Sequence, residues 1–131
     1  MEDRKLTDTL AVSPQIRPED MPEIRRRGYR AIVCNRPDGE AADQPSFDAV
    51  AAAARAEGLD VHFMPVTSDG IDDAAARRFG ALLADMPTPA LAYCRSGTRS
   101  ATLWARSAEA TRPAGEVQAR LRVAGYGGPR R

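Results

Sequence analysis

Ala90-Leu91-Ala92-Tyr93-Cys94-Arg95-Ser96-Gly97-Thr98-Arg99-Ser100 is the stretch on which the reading of this chain turns. Four apolar residues make a short buried strand and end in a cysteine. Gly97 then permits a tight turn, and Ala101-Thr102-Leu103-Trp104-Ala105-Arg106 has helical character. A strand that passes through a cysteine and a glycine turn into a helix N-terminus sets a nucleophile on an anion cradle. Loop amides point inward, and the helix dipole adds positive potential. Surroundings of that kind favour a reactive thiolate. Cys94 is therefore the candidate nucleophile, and Arg99 brings a fixed, forked cation suited to an anion. Arg95, Ser96, Gly97, Thr98 and Ser100 complete the candidate substrate-binding loop, with Arg95 at its mouth. Ser100 caps the following helix or donates to the thiolate, and the two roles are compatible.

Outward from this loop, the chain alternates strands and helices. Leu6 to Val12 reads as a short strand closed by Ser13-Pro14-Gln15. Pro18-Glu19-Asp20 opens a helix that stops at Gly28. Tyr29 to Cys34 reads as a buried strand broken at Asn35-Arg36-Pro37-Asp38-Gly39. Ser46 to Glu57 is a helix, and Val61 to Val66 a third strand. Asp72 or Asp73 begins a helix running to Leu83 and Ala84. The helix after the cysteine loop extends to about Ala110, and Pro113 opens a last one ending near Ala124. The tail from Gly125 to Arg131 has the composition of a frayed end. Alternation of this kind predicts a single-domain α/β fold over residues 1–131, with a mostly parallel sheet flanked by helices. In such sheets ligands bind beyond the carboxyl ends of the strands. The loops after Cys34, after Val66 and at Cys94 are thus expected to converge on one sheet edge.

Bulk properties narrow the classes of function. The chain has 131 residues, 43% hydrophobic and 28% charged, with a formal net charge of +1. This balance supplies a core and a solvated surface, and gives no basis for nucleic acid or a membrane as partner. Apolar runs are too short to cross a bilayer. The charged start Met1-Glu2-Asp3-Arg4-Lys5 is not followed by a signal-peptide core, so a soluble cytoplasmic location is expected. Cys34 and Cys94 read as thiols rather than a structural disulfide, although a regulatory bond between them is conceivable on sequence. No Cys/His cluster has zinc spacing and His62 stands alone, so no metal or other cofactor is expected.

Two further positions carry candidate roles. Asp69 follows the third main strand and is the candidate general acid, with Asp72 and Asp73 read as helix caps. Arg36 is placed near the mouth of the site, where it could bind an anionic substrate; Asp38 or Glu40 could instead pair with Arg36 or Arg99. Trp104 reads as core.

Strand, cysteine, loop, arginine and helix together resemble two families, the cysteine-dependent phosphatases and the rhodaneses, which are sulfurtransferases. The phosphatase signature has five residues between Cys and Arg, usually with His before the Cys. Here four residues separate Cys94 from Arg99, and Tyr93 stands in front. Cys94-Arg95-Ser96-Gly97-Thr98-Arg99 matches the rhodanese-type pattern Cys-Arg-x-Gly-x-Arg. A longer loop encircles a phosphoryl group with several donors, whereas a shorter one suits a single terminal sulfur.

A broader resemblance rests on Leu6-Thr7-Asp8, Ser13-Pro14-Gln15, Asn35-Arg36-Pro37-Asp38-Gly39-Glu40, Gln44-Pro45, Met64-Pro65-Val66-Thr67 and the cysteine loop. From about Leu6 to Ala110 the chain resembles the β-lactamase-hydrolase-like, phosphatase-like domain family. That resemblance implies a tyrosine/dual-specificity-phosphatase type of fold, with a sheet of four or five strands. Members occur alone or joined to persulfide dioxygenase-like or sulfide-oxidising partners, which implies a setting in sulfur metabolism. The leading expectation is therefore a sulfurtransferase. Cys94 would take sulfane sulfur from thiosulfate or glutathione persulfide and pass it to a thiol or cyanide. The alternative is a phosphatase, in which Cys94 becomes a phosphocysteine, Arg99 holds the phosphoryl oxygens and Asp69 is the acid. A third reading is a non-catalytic anion- or partner-binding module.

Overall fold

The computed structural model describes residues 1–127. Five strands form one sheet in the order β1-β2-β5-β3-β4. They are β1 (Arg4–Lys5), β2 (Leu10–Ser13), β3 (Ala31–Cys34), β4 (Asp60–Phe63) and β5 (Ala90–Tyr93). Only the β1/β2 pair is antiparallel; β2, β5, β3 and β4 run parallel. The helices are α1 (Met21–Arg26), α2 (Phe47–Ala56), α3 (Asp73–Asp85), α4 (Thr98–Ala108) and α5 (Ala114–Ala124).

Alternation along β5 makes two cores. Ala90 and Ala92 face a layer built from Phe79 of α3, Leu103 and Trp104 of α4, and Val117 and Leu121 of α5. Leu91 and Tyr93 face the opposite layer, with Met21 and Ile24 of α1 and Val50 and Ala54 of α2. All four β5 residues are buried, as a central parallel strand covered on both faces requires. Helix starts follow local chemistry. Ser46 caps α2 through Ala49 N–H, and Asp72 caps α3 through Ala75 N–H.

Register fixes the working edge. Ser13, Cys34 and Phe63 lie in one row with Tyr93 or its neighbour, through the pairs Ser13↔Tyr93, Cys34↔Tyr93 and Cys34↔Phe63. The segments that follow these residues emerge together at the carboxyl ends of the strands.

Several boundaries differ from the sequence expectation. The expected strand Leu6–Val12 is split, because the Leu6 and Thr7 amides both turn back onto Leu10 O. Pro18–Asp20 is a separate 3-10 turn before α1. The third main strand stops at Phe63, after which Met64 N–H and Val66 N–H bond Cys34 O and Asn35 O. At the C-terminus, Tyr126 and Gly127 are packed rather than frayed, since both their amides bond Leu121 O. The remainder of the expected frayed tail, 128–131, lies outside the described residues.

Candidate active site

Cys94 leaves β5 with its amide still bonded to Ser13 O at 3.4 Å. The loop then turns at Gly97, whose φ of 92° lies in the left-handed region that favours glycine. That turn aims Gly97 N–H at Cys94 Sγ, 3.1 Å away. Gly97 is also the N-cap of α4, so the positive end of the helix dipole meets the thiol. Cys94 is 0% exposed. Beside it opens a cavity of about 490 Å³ lined by Glu40, Thr67, Ser68, Arg95, Ser96, Thr98 and Arg99. The loops after β3, after β4 and after β5 all contribute to it, so the expected convergence is found.

Arg99 is held by three acceptors. Nη1 donates to Glu40 Oε2 at 2.8 Å and to Val66 O at 2.9 Å, and Nη2 donates to Glu40 Oε1 at 2.8 Å. A guanidinium has five N–H donors. Two go to Glu40 and one to Val66. The two that remain, on Nε and Nη2, lie along one edge and form a side-on fork. The Glu40 bonds, and then the Cys94 charge, raise the Arg99 pKa.

Glu40 is the hub of this arrangement. Besides Arg99, it accepts from Arg36 Nε at 3.0 Å. The Arg99 bonds, followed by Arg36, push its pKa down to about 2. Of the two pairings the sequence left open, Glu40 makes both. Asp38 instead accepts from Phe47 N–H at the start of α2.

Arg36 requires a correction. It does not reach out of the mouth toward substrate. It is 4% exposed, and its Nη1 donates to Gln15 Oε1 at 3.0 Å. The Gln15 backbone N–H in turn donates to Arg95 O at 3.2 Å, so Arg36 braces the cysteine loop from behind.

Ser100 also departs from expectation. Its hydroxyl donates to Asn35 Oδ1 at 2.8 Å. A serine has one hydroxyl proton, so in this arrangement Ser100 does not donate to the Cys94 thiolate. Asn35 ties together the whole edge. Its amide bonds Tyr93 O at 2.8 Å, its carbonyl accepts from Val66 N–H at 3.0 Å, and its Nδ2 bonds Met64 O at 2.9 Å.

Asp69 sits in a 3-10 turn, Ser68–Gly70, directly after the lining residues Thr67 and Ser68. It is exposed and accepts from Thr67 Oγ1 at 2.8 Å. It does not line the cavity. Asp72 caps α3 and Asp73 pairs with Arg106, as expected of helix-start acids. Cys34 Sγ donates to Arg36 O at 3.3 Å, and burial pushes its pKa up. Both cysteines are free. Among the described residues no group of three His, Cys, Asp or Glu could hold a metal ion, and no helix is long and apolar enough to cross a membrane.

Sequence reasoning left Gln15, Asn35, Thr67, Ser68 and Tyr126 out of the site. Strand-end position was a usable signal for the first two, since each follows a strand at the carboxyl edge. Nothing local marked Tyr126, whose hydroxyl donates to Ser96 O at 3.2 Å.

With this geometry established, comparison with known proteins becomes decisive for the family. Residues 2–111 match the model of the β-lactamase hydrolase-like protein, phosphatase-like domain. The chain belongs to that family. A curated relative, the β-lactamase hydrolase-like protein of Xylella fastidiosa, is 40% identical over 102 residues. That match covers 78% of this chain and 24% of the relative, so the chain corresponds to about a quarter of the relative's length. A Neisseria meningitidis structure described as a candidate phosphatase is 36% identical, with a TM-score of 0.87. The alignment spans 95% of this chain and 89% of that one. Tk-PTP in its active form has a TM-score of 0.77 at 17% identity, over 96% of this chain and 84% of its own. Kinase associated phosphatase, solved with its catalytic-site cysteine replaced by serine, has a TM-score of 0.69 at 16% identity, over 95% and 82%. The last two show the fold alone, and that fold is of the tyrosine/dual-specificity-phosphatase type.

Proposed function

We propose that this domain is a cysteine-dependent phosphatase acting on phosphate monoesters. The observation that carries the reading is the side-on N–H fork of Arg99, held beside Cys94 at the start of α4. Two parallel donors match two non-bridging oxygens of a phosphoryl group. The α4 N-terminus and Gly97 N–H face the same charge. The family description and the 36%-identical candidate phosphatase support this reading over the sulfurtransferase expectation. None of the relatives named above is described as a sulfurtransferase.

In the proposed reaction the Cys94 thiolate attacks phosphorus. A sulfur–phosphorus bond forms as the ester oxygen–phosphorus bond breaks, and the leaving oxygen takes a proton. Arg99 and the loop amides hold the equatorial oxygens through the charge build-up. Water then attacks the phosphocysteine, and phosphate and thiolate are released. Glu40 is held ionised by two guanidiniums and is not the proton donor. The donor we assign is Asp69, on the Ser68–Gly70 turn that borders the cavity through Thr67 and Ser68. The test is hydrolysis of aryl phosphates by the wild type and Cys94→Ser, with vanadate as competitor. Cys94-dependent, vanadate-sensitive turnover supports the reading, and turnover that survives Cys94→Ser contradicts it.

One observation favours a second reading. Only four residues separate Cys94 from Arg99, and the tighter loop suits transfer of a terminal sulfur. Sulfur transfer from thiosulfate needs no protonated acid, because sulfite leaves as an anion. Formation of a Cys94 persulfide from thiosulfate or glutathione persulfide is the distinguishing outcome. A joined or separate persulfide dioxygenase-like partner belongs to this second reading.

A further inference from the structure

After α5 the chain turns back at Gly125, and the Tyr126 amide bonds Leu121 O at 2.8 Å. This sends the Tyr126 side chain onto the cysteine loop. Its hydroxyl donates to Ser96 O at 3.2 Å. A Cβ placed on Gly97 would lie 2.2 Å from that hydroxyl, so the phenol end rests directly against the turn. The Ser96 carbonyl and the Gly97 N–H belong to one planar peptide and point in opposite directions. Its N–H is the group that donates to Cys94 Sγ at 3.1 Å. One peptide is thus gripped at its oxygen by Tyr126 while its nitrogen faces the nucleophile.

We propose that Tyr126 is a positioning residue for the Cys94 thiolate, acting through the Ser96–Gly97 peptide. Without a donor on the Ser96 oxygen, that peptide has a low-cost alternative. Glycine reaches either sign of φ, so rotation about its flanking bonds can turn the carbonyl toward the thiol. A carbonyl oxygen there repels both a thiolate and an incoming oxyanion. The Tyr126 hydrogen bond favours the productive orientation, and it also polarises the peptide so that its N–H is a better donor. The residue lies outside the span 2–111 that matches the family model. Burial, and then the Cys94 charge, raise the Tyr126 pKa, consistent with a neutral phenol acting as donor.

The inference rests on Cys94 being the nucleophile of the proposed phosphatase. It is tested without any phosphorylated substrate, so the two can fail separately. Tyr126→Phe keeps the ring against Gly97 and removes only the hydroxyl. Iodoacetamide alkylation of Cys94, followed by peptide mapping, is compared at pH 6 and pH 10. The expected result is about threefold to tenfold slower alkylation at pH 6, the weight of one hydrogen bond, and an unchanged rate at pH 10. Tyr126→Ala should be at least as slow at pH 6. A wild-type profile for Tyr126→Phe overturns the proposal, and so does equal slowing at both pH values, which would mark a change of access alone.

Discussion

Arg99 shows how much of the site is decided by counting protons on one side chain. Three of its five donors are spent on Glu40 and Val66, which leaves one on Nε and one on Nη2 for an anion. Lysine cannot reproduce this, because its three donors radiate from one nitrogen. Arg99→Lys is therefore expected to lower kcat/KM on aryl phosphates by about a hundredfold, the scale of a lost transition-state donor pair. Glu40→Gln leaves the fork intact but loosens its anchor. Its kcat/KM should fall by about tenfold, the weight of one charge-assisted hydrogen bond. The same residue sets a pH dependence. The Glu40 pKa is lowered from 4.5 to about 2, so its contribution to stability is fully present above pH 4.5 and is lost as pH falls toward 2. Urea midpoints of the wild type and Glu40→Gln should differ at neutral pH and draw together across that window. A constant difference down to pH 2 would remove Glu40 from this role. The placement of Cys94 and Arg99 at a strand–turn–helix junction was legible in the sequence because strand, turn and helix signals surround them. Arg36 was not, because an arginine on a turn reads as exposed, and only the fold shows Gln15 and Glu40 closing over it.

At the scale of elements, the carboxyl edge is joined by Asn35 more than by any strand pairing. Its side chain connects the loop after β4 to α4, and its backbone connects β5 to that same loop. Asn35→Ala would leave the part-buried Met64 carbonyl and the buried Ser100 hydroxyl unpaired. The expected destabilisation is about 2–4 kcal/mol, read from urea unfolding. A change below measurement error would show that water replaces the amide. The Ser68–Gly70 turn carries the other prediction at this scale. Asp69→Asn should slow hydrolysis of phenyl phosphate by about a hundredfold while affecting p-nitrophenyl phosphate much less, since only a poor leaving group needs the proton. Equal losses on both esters would move the acid elsewhere. Element order and type were readable because apolar runs, caps and glycine stops agree along the chain. The 3-10 pieces and the split first strand were not, since they arise from backbone bonds such as Leu6 N–H to Leu10 O.

Across the whole molecule, the parallel register brings loops from distant parts of the sequence to one edge, and β5 carries the nucleophile out of the centre of the sheet. The convergence of loops followed from topology alone. What occupies the edge did not, because hydrogen bonds such as those of Tyr126 and Gln15 join residues far apart in sequence. Phosphate and sulfur chemistry share a nucleophile, a cation and a helix dipole; the four-residue spacing from Cys94 to Arg99 put sulfur transfer first on sequence, whereas the family and the 36%-identical structure support the phosphatase alternative better. The most direct test is an intact mass of the protein, acid-quenched after mixing with an aryl phosphate and, separately, with thiosulfate. The account predicts one added phosphoryl group from the ester, absent in Cys94→Ser, and no added sulfur from thiosulfate. A Cys94-dependent gain of one sulfur atom, with no phosphoryl adduct or turnover of the ester, would contradict it.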